Sequence, residues 1–337
     1  MLKHSDLNSP DEEGVSVDAD TLPFPSIVNN CTHSGINKRA LEARKRIEEK
    51  KQIVSDTENQ IKTKKPISTE IRFTDAKFKI DVMSMEAPVF AISKNVEKNK
   101  EEFQWSSVDG KMKLTIIPSV LGRPTMYDKK IIVYIISCLV QRRNDKLPIS
   151  KTVKFPIYDY LTATDCMTGG DEYISFEKGL DRLKTNSFKT NIKSNNIEIT
   201  SLFSLIDSYQ LHKVNKKVKY AEVTLSDWIF NAIEGFNVIT IKQEYFKLKP
   251  LEKRLYEIAR KHVGNQAEFK IKTQHLWKKT GSISTSKEFN RMLKVIIESN
   301  LLPDYRAKII GEFTVLYQKD ANKLLAAMTA KAAKVKK

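Results

Sequence analysis

The sequence predicts a mixed α+β chain in which one small helical unit, closed by a β-hairpin, occurs twice. Apolar residues recur at helical spacing in a fixed order. In each copy two of the helices flank a Gly-containing turn, and each set ends in two strand-like runs joined by Asn or Gly. The chain of 337 residues has room for two modest domains and tails. Its 40% hydrophobic content suffices for packed cores.

Residues 1–36 are acidic and aperiodic, with Asp11-Glu12-Glu13 and Leu22-Pro23-Phe24-Pro25, and are expected to form a disordered tail. Residues 37–72 are a charged helical segment and linker. Leu41, Ile47 and Val54 make a thin apolar stripe among Glu/Lys pairs, and Pro66 ends the helix.

The first unit is expected over 73–210. Lys111–Ile117 alternates as a strand after the Asp109-Gly110 turn, and Tyr127–Arg143 carries Ile131, Ile132, Ile135, Ile136 and Leu139 as a core helix. Lys151–Phe155 reads as a strand and Ile157–Cys166 as a short helix. Thr168-Gly169-Gly170-Asp171 is a turn whose Asp171 is placed to cap the helix Glu172–Thr185. Ser187–Lys193 and Ile197–Leu202 then form a hairpin around Ser194-Asn195-Asn196.

The second unit is expected over 211–318. Val218–Leu225 is a strand, Ser226-Asp227 caps a short helix, and Pro250–His262 is a core helix stopping at Gly264. Glu268–Ile271 is a strand, Thr273–Thr280 a helix, Gly281–Ser284 a turn and Thr285–Asn300 a longer helix. Tyr305–Ile310 and Glu312–Tyr317 close the unit as a hairpin at Gly311. Residues 319–337 are a Lys/Ala-rich tail expected to fray. Helix, strand, helix, turn, helix, hairpin is the order of a winged helix. The expected fold is therefore two tandem winged-helix domains behind a disordered and helical N-terminal extension.

With 58 Lys+Arg against 41 Asp+Glu, the formal charge is +17. Nucleic acid, an anionic membrane surface or an acidic protein could use that excess. Winged helices read DNA by placing the last helix of the helix-turn-helix in the major groove while flanking groups hold phosphates. In the second unit Ser282, Ser284, Thr285, Ser286, Lys287, Asn290, Arg291 and Lys294 are the DNA-binding candidates. Asn290 and Arg291 are of the types that pair with adenine and guanine edges. In the first unit the candidates are Ser175, Lys178, Arg182 and Lys184, with Lys189 and Lys193 on the hairpin. Phosphate contact or dimerisation are alternative roles there.

Other chemistry is thin. Cys31, Cys138 and Cys166 are too far apart for a zinc site, and Cys138 reads as a core residue. His4, His33, His212, His262 and His275 show no metal-ligand spacing, and His262 suits a helix C-terminus. There is no P-loop pattern, signal segment or apolar run long enough for a bilayer. The expectation is a cytoplasmic protein without catalytic site, cofactor or metal.

The runs Leu225-Ser226-Asp227-Trp228, Glu252–Gly264 and His275–Ser282 resemble the Replication initiator protein A family of bacterial plasmids. So do Gly169–Tyr173 and Leu180–Asn186 upstream. The resemblance covers roughly 73–310. It implies a plasmid replication initiator that binds repeated origin DNA, helps open the duplex and recruits host initiator and helicase proteins. It also implies plasmid copy control and, as a homodimer, repression of its own promoter. A winged-helix transcriptional regulator is the alternative.

Overall fold

The computed structural model describes residues 45, 46, 48, 49 and 52, and residues 68–335 apart from 75, 76, 94, 96–98, 192–200 and 216. The chain divides between Lys65 and Pro66. In the N-terminal unit the five described residues are helical, while the expected tail over 1–36 and most of the charged segment lie outside the described residues.

From Pro66 onward the chain opens with β1 (Thr69–Glu70), β2 (Lys79–Asp81), the short helix α1 (Val82–Glu86) and β3 (Phe103–Ser106). Then come β4 (Lys113–Ile117), α2 (Lys129–Asn144), β5 (Thr152–Pro156), α3 (Ile157–Ala163) and α4 (Gly170–Thr185). β6 (Ser187–Thr190), β7 (Ser201–Phe203), β8 (Ile206–Val214), β9 (Lys217–Leu225), α5 (Asp227–Glu234) and β10 (Val238–Thr240) follow. A 3-10 turn at Gln243–Lys247 leads into α6 (Pro250–His262), β11 (Glu268–Lys272), α7 (Thr273–Thr280) and α8 (Ser286–Ser299). The chain ends with β12 (Tyr305–Ile310), β13 (Phe313–Gln318) and α9 (Ala321–Val335).

Two series share one topology. α6, β11, α7 and α8 lead to the hairpin β12–β13, whose second strand returns antiparallel to β11. α2, β5, α3 and α4 likewise lead to the hairpin β8–β9, whose second strand returns antiparallel to β5. The first copy therefore closes with residues 206–225, not with the run at 187–202. The expected pairing of that run is present, since β6 lies against β7 with Phe188 opposite Phe203. Its sheet, however, is β3-β4-β6-β7, recruited because Leu114, Ile116 and Phe188 bury one face together. The expected boundary at 210/211 falls inside β8, and β9 and α5 pack with the first core.

That first core gathers Ile131, Ile135, Leu139, Phe155, Leu180, Val223 and Ile233. The second gathers Leu255, Tyr256, Leu276, Phe289, Leu293 and Leu316. α2 serves both, because Val133 points into the second core while its neighbours Ile131 and Ile132 point into the first. The segment between the copies is also held in place: β10 pairs antiparallel with β2, and Val82 and Ile241 extend the ladder through Asn237 and Phe78.

Two end effects differ from expectation. Asp171 does not cap α4: the helix begins two residues earlier than expected, with Gly169 at the N-cap, and Asp171 sits in the first turn, where its charge suits the helix dipole. The tail expected to fray is helical from Ala321 to Val335 and packs against β13. Asp320 Oδ1 accepts from the Asn322 and Lys323 amides at 2.9 and 3.2 Å, and the Ala-rich sequence that follows favours helix.

Candidate nucleic-acid interface

The α7–turn–α8 element is set by backbone constraints. Gly281 ends α7 in the left-handed region at φ 71°, and a Cβ there would lie 2.4 Å from Pro88 Cβ. Thr285 begins α8 by accepting the Glu288 amide on its hydroxyl at 3.3 Å. Between them the Ser282 and Ser284 hydroxyls meet at 2.8 Å, and Ser282 Oγ accepts the Ser284 amide. These serines are half-buried and shape the turn, while Ser286 is exposed.

α8 is sharply two-sided. Phe289, Leu293 and Ile296 are buried. Lys287, Asn290, Arg291 and Lys294 are exposed, and their i, i+3, i+4, i+7 spacing puts them on one outer face. Arg291 forms a bidentate pair with Glu288 at 2.9 and 2.7 Å, so its fork is oriented but not unoccupied. Beside this element the β12–β13 hairpin exposes Arg306 and Lys308, which the sequence reading overlooked. Their signal was the alternation Arg306-Ala307-Lys308, which puts both cations on one side of a strand.

The first copy holds its candidates differently. Arg182 is half-buried and donates to both oxygens of Asp128 at 2.8 and 2.7 Å, tying α4 to the start of α2. Gly179 makes this approach possible: a Cβ there would sit 3.0 Å from Asp128 Oδ1 and 3.2 Å from Ile131 Cδ1. Arg182 is therefore a structural cation, not a solvent-facing one. Ser175, Lys178 and Lys184 on α4 and Lys189 on β6 are exposed, whereas Lys193 lies outside the described residues. Asp171 and Glu177 share the exposed surface of α4 with those cations, and Asp181 accepts the Tyr209 hydroxyl at 2.5 Å. The β8–β9 hairpin exposes Lys213, Lys217 and Lys219 near its end, a second basic feature missed because the hairpin itself was not anticipated.

A buried polar junction ties α6 and the end of α7 to α1, and α6 to α2. Arg254 of α6 is 1% exposed and donates to the carbonyls of Ser84, Met85, Glu86 and Lys279, and to Glu257. Glu257 also accepts from Lys129 of α2 at 2.8 Å and from the Tyr245 hydroxyl at 2.7 Å. Nearby, Glu86 takes Lys261 and Lys279. Burial pushes the Glu86 carboxyl up, but the adjacent His262 ring and the hydrogen bonds from Lys261 and Lys279 outweigh it and hold the group well below the usual carboxylate range. His262 does end α6 as expected, and it also stacks on Phe269 at 4.5 Å. Among the described residues no helix is long and apolar enough to cross a membrane.

With this geometry in view, comparison with known proteins defines the class. The Replication initiator protein A family matches residues 79–307. A protein of Wigglesworthia glossinidia brevipalpis described as "Putative replication protein" is 36% identical over 239 residues, spanning 68% of this chain and 84% of the relative. The crystal structure of domains 2 and 3 of RctB is similar in fold, with a TM-score of 0.55 and 12% identity. That match covers 70% of this chain and 97% of the RctB chain. The chain belongs to the Replication initiator protein A family, and its role is that of a replication initiator.

Proposed function

We propose that each copy is a winged helix, and that the protein initiates plasmid replication by binding repeated sequences at the origin, with α8 as the principal reader. It then acts without catalysis, by helping to open the duplex and recruiting host initiator and helicase proteins. The carrying observation is the outer face of α8, where Lys287, Asn290, Arg291 and Lys294 stand together beyond a rigid glycine turn, beside the basic strand β12. A helix of this kind fits the major groove, and exposed lysines on the hairpin suit the flanking phosphates. A basic hairpin on each copy gives two phosphate clamps, consistent with the net charge of +17.

Footprinting the purified chain on its own plasmid's origin tests this. Protection of direct repeats, with affinity falling steeply as salt rises, is the expected result. Equal binding of random and origin DNA at moderate salt would refute it, and protection of an inverted repeat alone would favour a transcriptional regulator.

A further inference from the structure

A cavity of about 490 Å³ opens between α2, α3 and α4, with Arg123, Lys130, Tyr160, Phe176, Ser175 and Lys178 in its wall. Its size falls within the range of small-molecule sites. Arg123 is 3% exposed, its Nε has no hydrogen-bond partner, and its contact is with the face of the Phe103 ring at 3.9 Å. Lys130 is 8% exposed and donates only to neutral acceptors, the Thr164 carbonyl and Cys166 Sγ, both at 3.2 Å.

Taking a cation out of water is costly unless an opposite charge meets it. The adjacent residue, Lys129, is also buried, and it is met by Glu257. No carboxylate among the described residues pairs with Arg123 or Lys130. Of the three carboxylates in the cavity wall, Asp128 is occupied by Arg182, Asp165 is exposed and Glu172 is half-buried. Burial also pushes the Arg123 guanidinium down to about 10, as an uncompensated charge requires.

We propose that this cavity binds a small phosphate ester of nucleotide size. The phosphate neutralises Arg123 and Lys130, Lys178 closes on it from the rim, and the flat body of the ligand lies on Tyr160 and Phe176. Arginine suits a phosphate through its fork of donors, and an aromatic floor suits a base. This site stands independently of the DNA reading. It gives Ser175 and Lys178 a second partner on the inner flank of α4.

The test is calorimetric titration of the full-length protein with AMP and with inorganic pyrophosphate, alongside mapping of Cys166 alkylation. The expected result is saturable binding of AMP at one site, with Cys166 protected. Arg123→Met and Lys178→Glu should each weaken it roughly tenfold or more, as loss of a charge-assisted contact does. Without ligand, Arg123→Met should melt at the wild-type temperature or higher, because it removes an unpaired buried charge; a purely structural arginine would lower it. If Arg123→Met fails to fold, exposed Lys178→Glu decides alone. Absence of binding at millimolar AMP and pyrophosphate overturns the proposal. So does unchanged binding in the variants that fold, or loss of DNA affinity in Arg123→Met with no small ligand bound.

Discussion

The two copies share one topology, yet their last helices present different chemistry. α8 places Lys287, Asn290, Arg291 and Lys294 on one face, with Glu288 the neighbouring carboxylate and already paired to Arg291. α4 spends its best cation, Arg182, on buried Asp128 and exposes Asp171 and Glu177 among its lysines. The same frame can therefore yield a face open to a polyanion or one turned inward around a cavity. What decides is whether the arginine finds a carboxylate inside the protein. The junction at Arg254 keeps the two frames from acting independently, because α1, α2, α6 and the end of α7 converge on it.

The largest effect should come from that junction. Arg254→Ala removes a donor from four carbonyls and one of the three donors to Glu257, and a cost of about 3–5 kcal/mol is expected from broken buried pairs. Urea unfolding should show both cores losing stability in one transition. If only the second copy weakened, the coupling would be absent. Next comes Gly281→Ala, where the left-handed backbone and the contact with Pro88 together should cost about 1–3 kcal/mol and misplace α8. DNA affinity should drop with it, whereas Gly179→Ala should disturb the Arg182–Asp128 pair and leave α8 intact.

Glu86→Gln sharpens the picture through pH. The folded carboxyl is held below its ordinary value, so its contribution is present at neutral pH and lost as pH falls through the carboxylate range. Wild type should exceed the variant in thermal stability at pH 7, and the gap should close in acid. A gap unchanged by acid would assign the effect to packing. The smallest effect is expected from Arg291→Ala. The side chain is exposed and already paired to Glu288, so folding should be unaffected. Sequence preference should relax if it reads a base, while all DNA should weaken alike if it holds a phosphate.

Much of the fold was legible because its elements are local. The bounds of α6 and α7 follow from Pro250, the apolar stripe and Gly281, and Gly311 marks the β12–β13 turn. The first closing hairpin was not legible in this way. β8 and β9 are joined by a short turn at Asn215, φ 52°, yet the nearer strands β6 and β7 carry the same local signals. Only the long-range pairing of β5 with β9 separates the two candidates, and no local pattern encodes it. The outer face of α8 could be read from helical periodicity. The fate of Arg182 could not, since its partner Asp128 lies 54 positions away. The charges around Glu86 were similarly hidden, being drawn from α1, α6 and α7.

The central claim is that α8, not α4, reads the DNA. Equilibrium binding to the footprinted repeat should be compared at one salt concentration for Lys287→Ala/Asn290→Ala and for Ser175→Ala/Lys178→Ala. The first pair should lose roughly tenfold or more in affinity and most of its preference over random DNA, and the second should stay within about threefold of wild type. A larger loss from the α4 pair, or no loss from the α8 pair in a folded protein, would contradict the account.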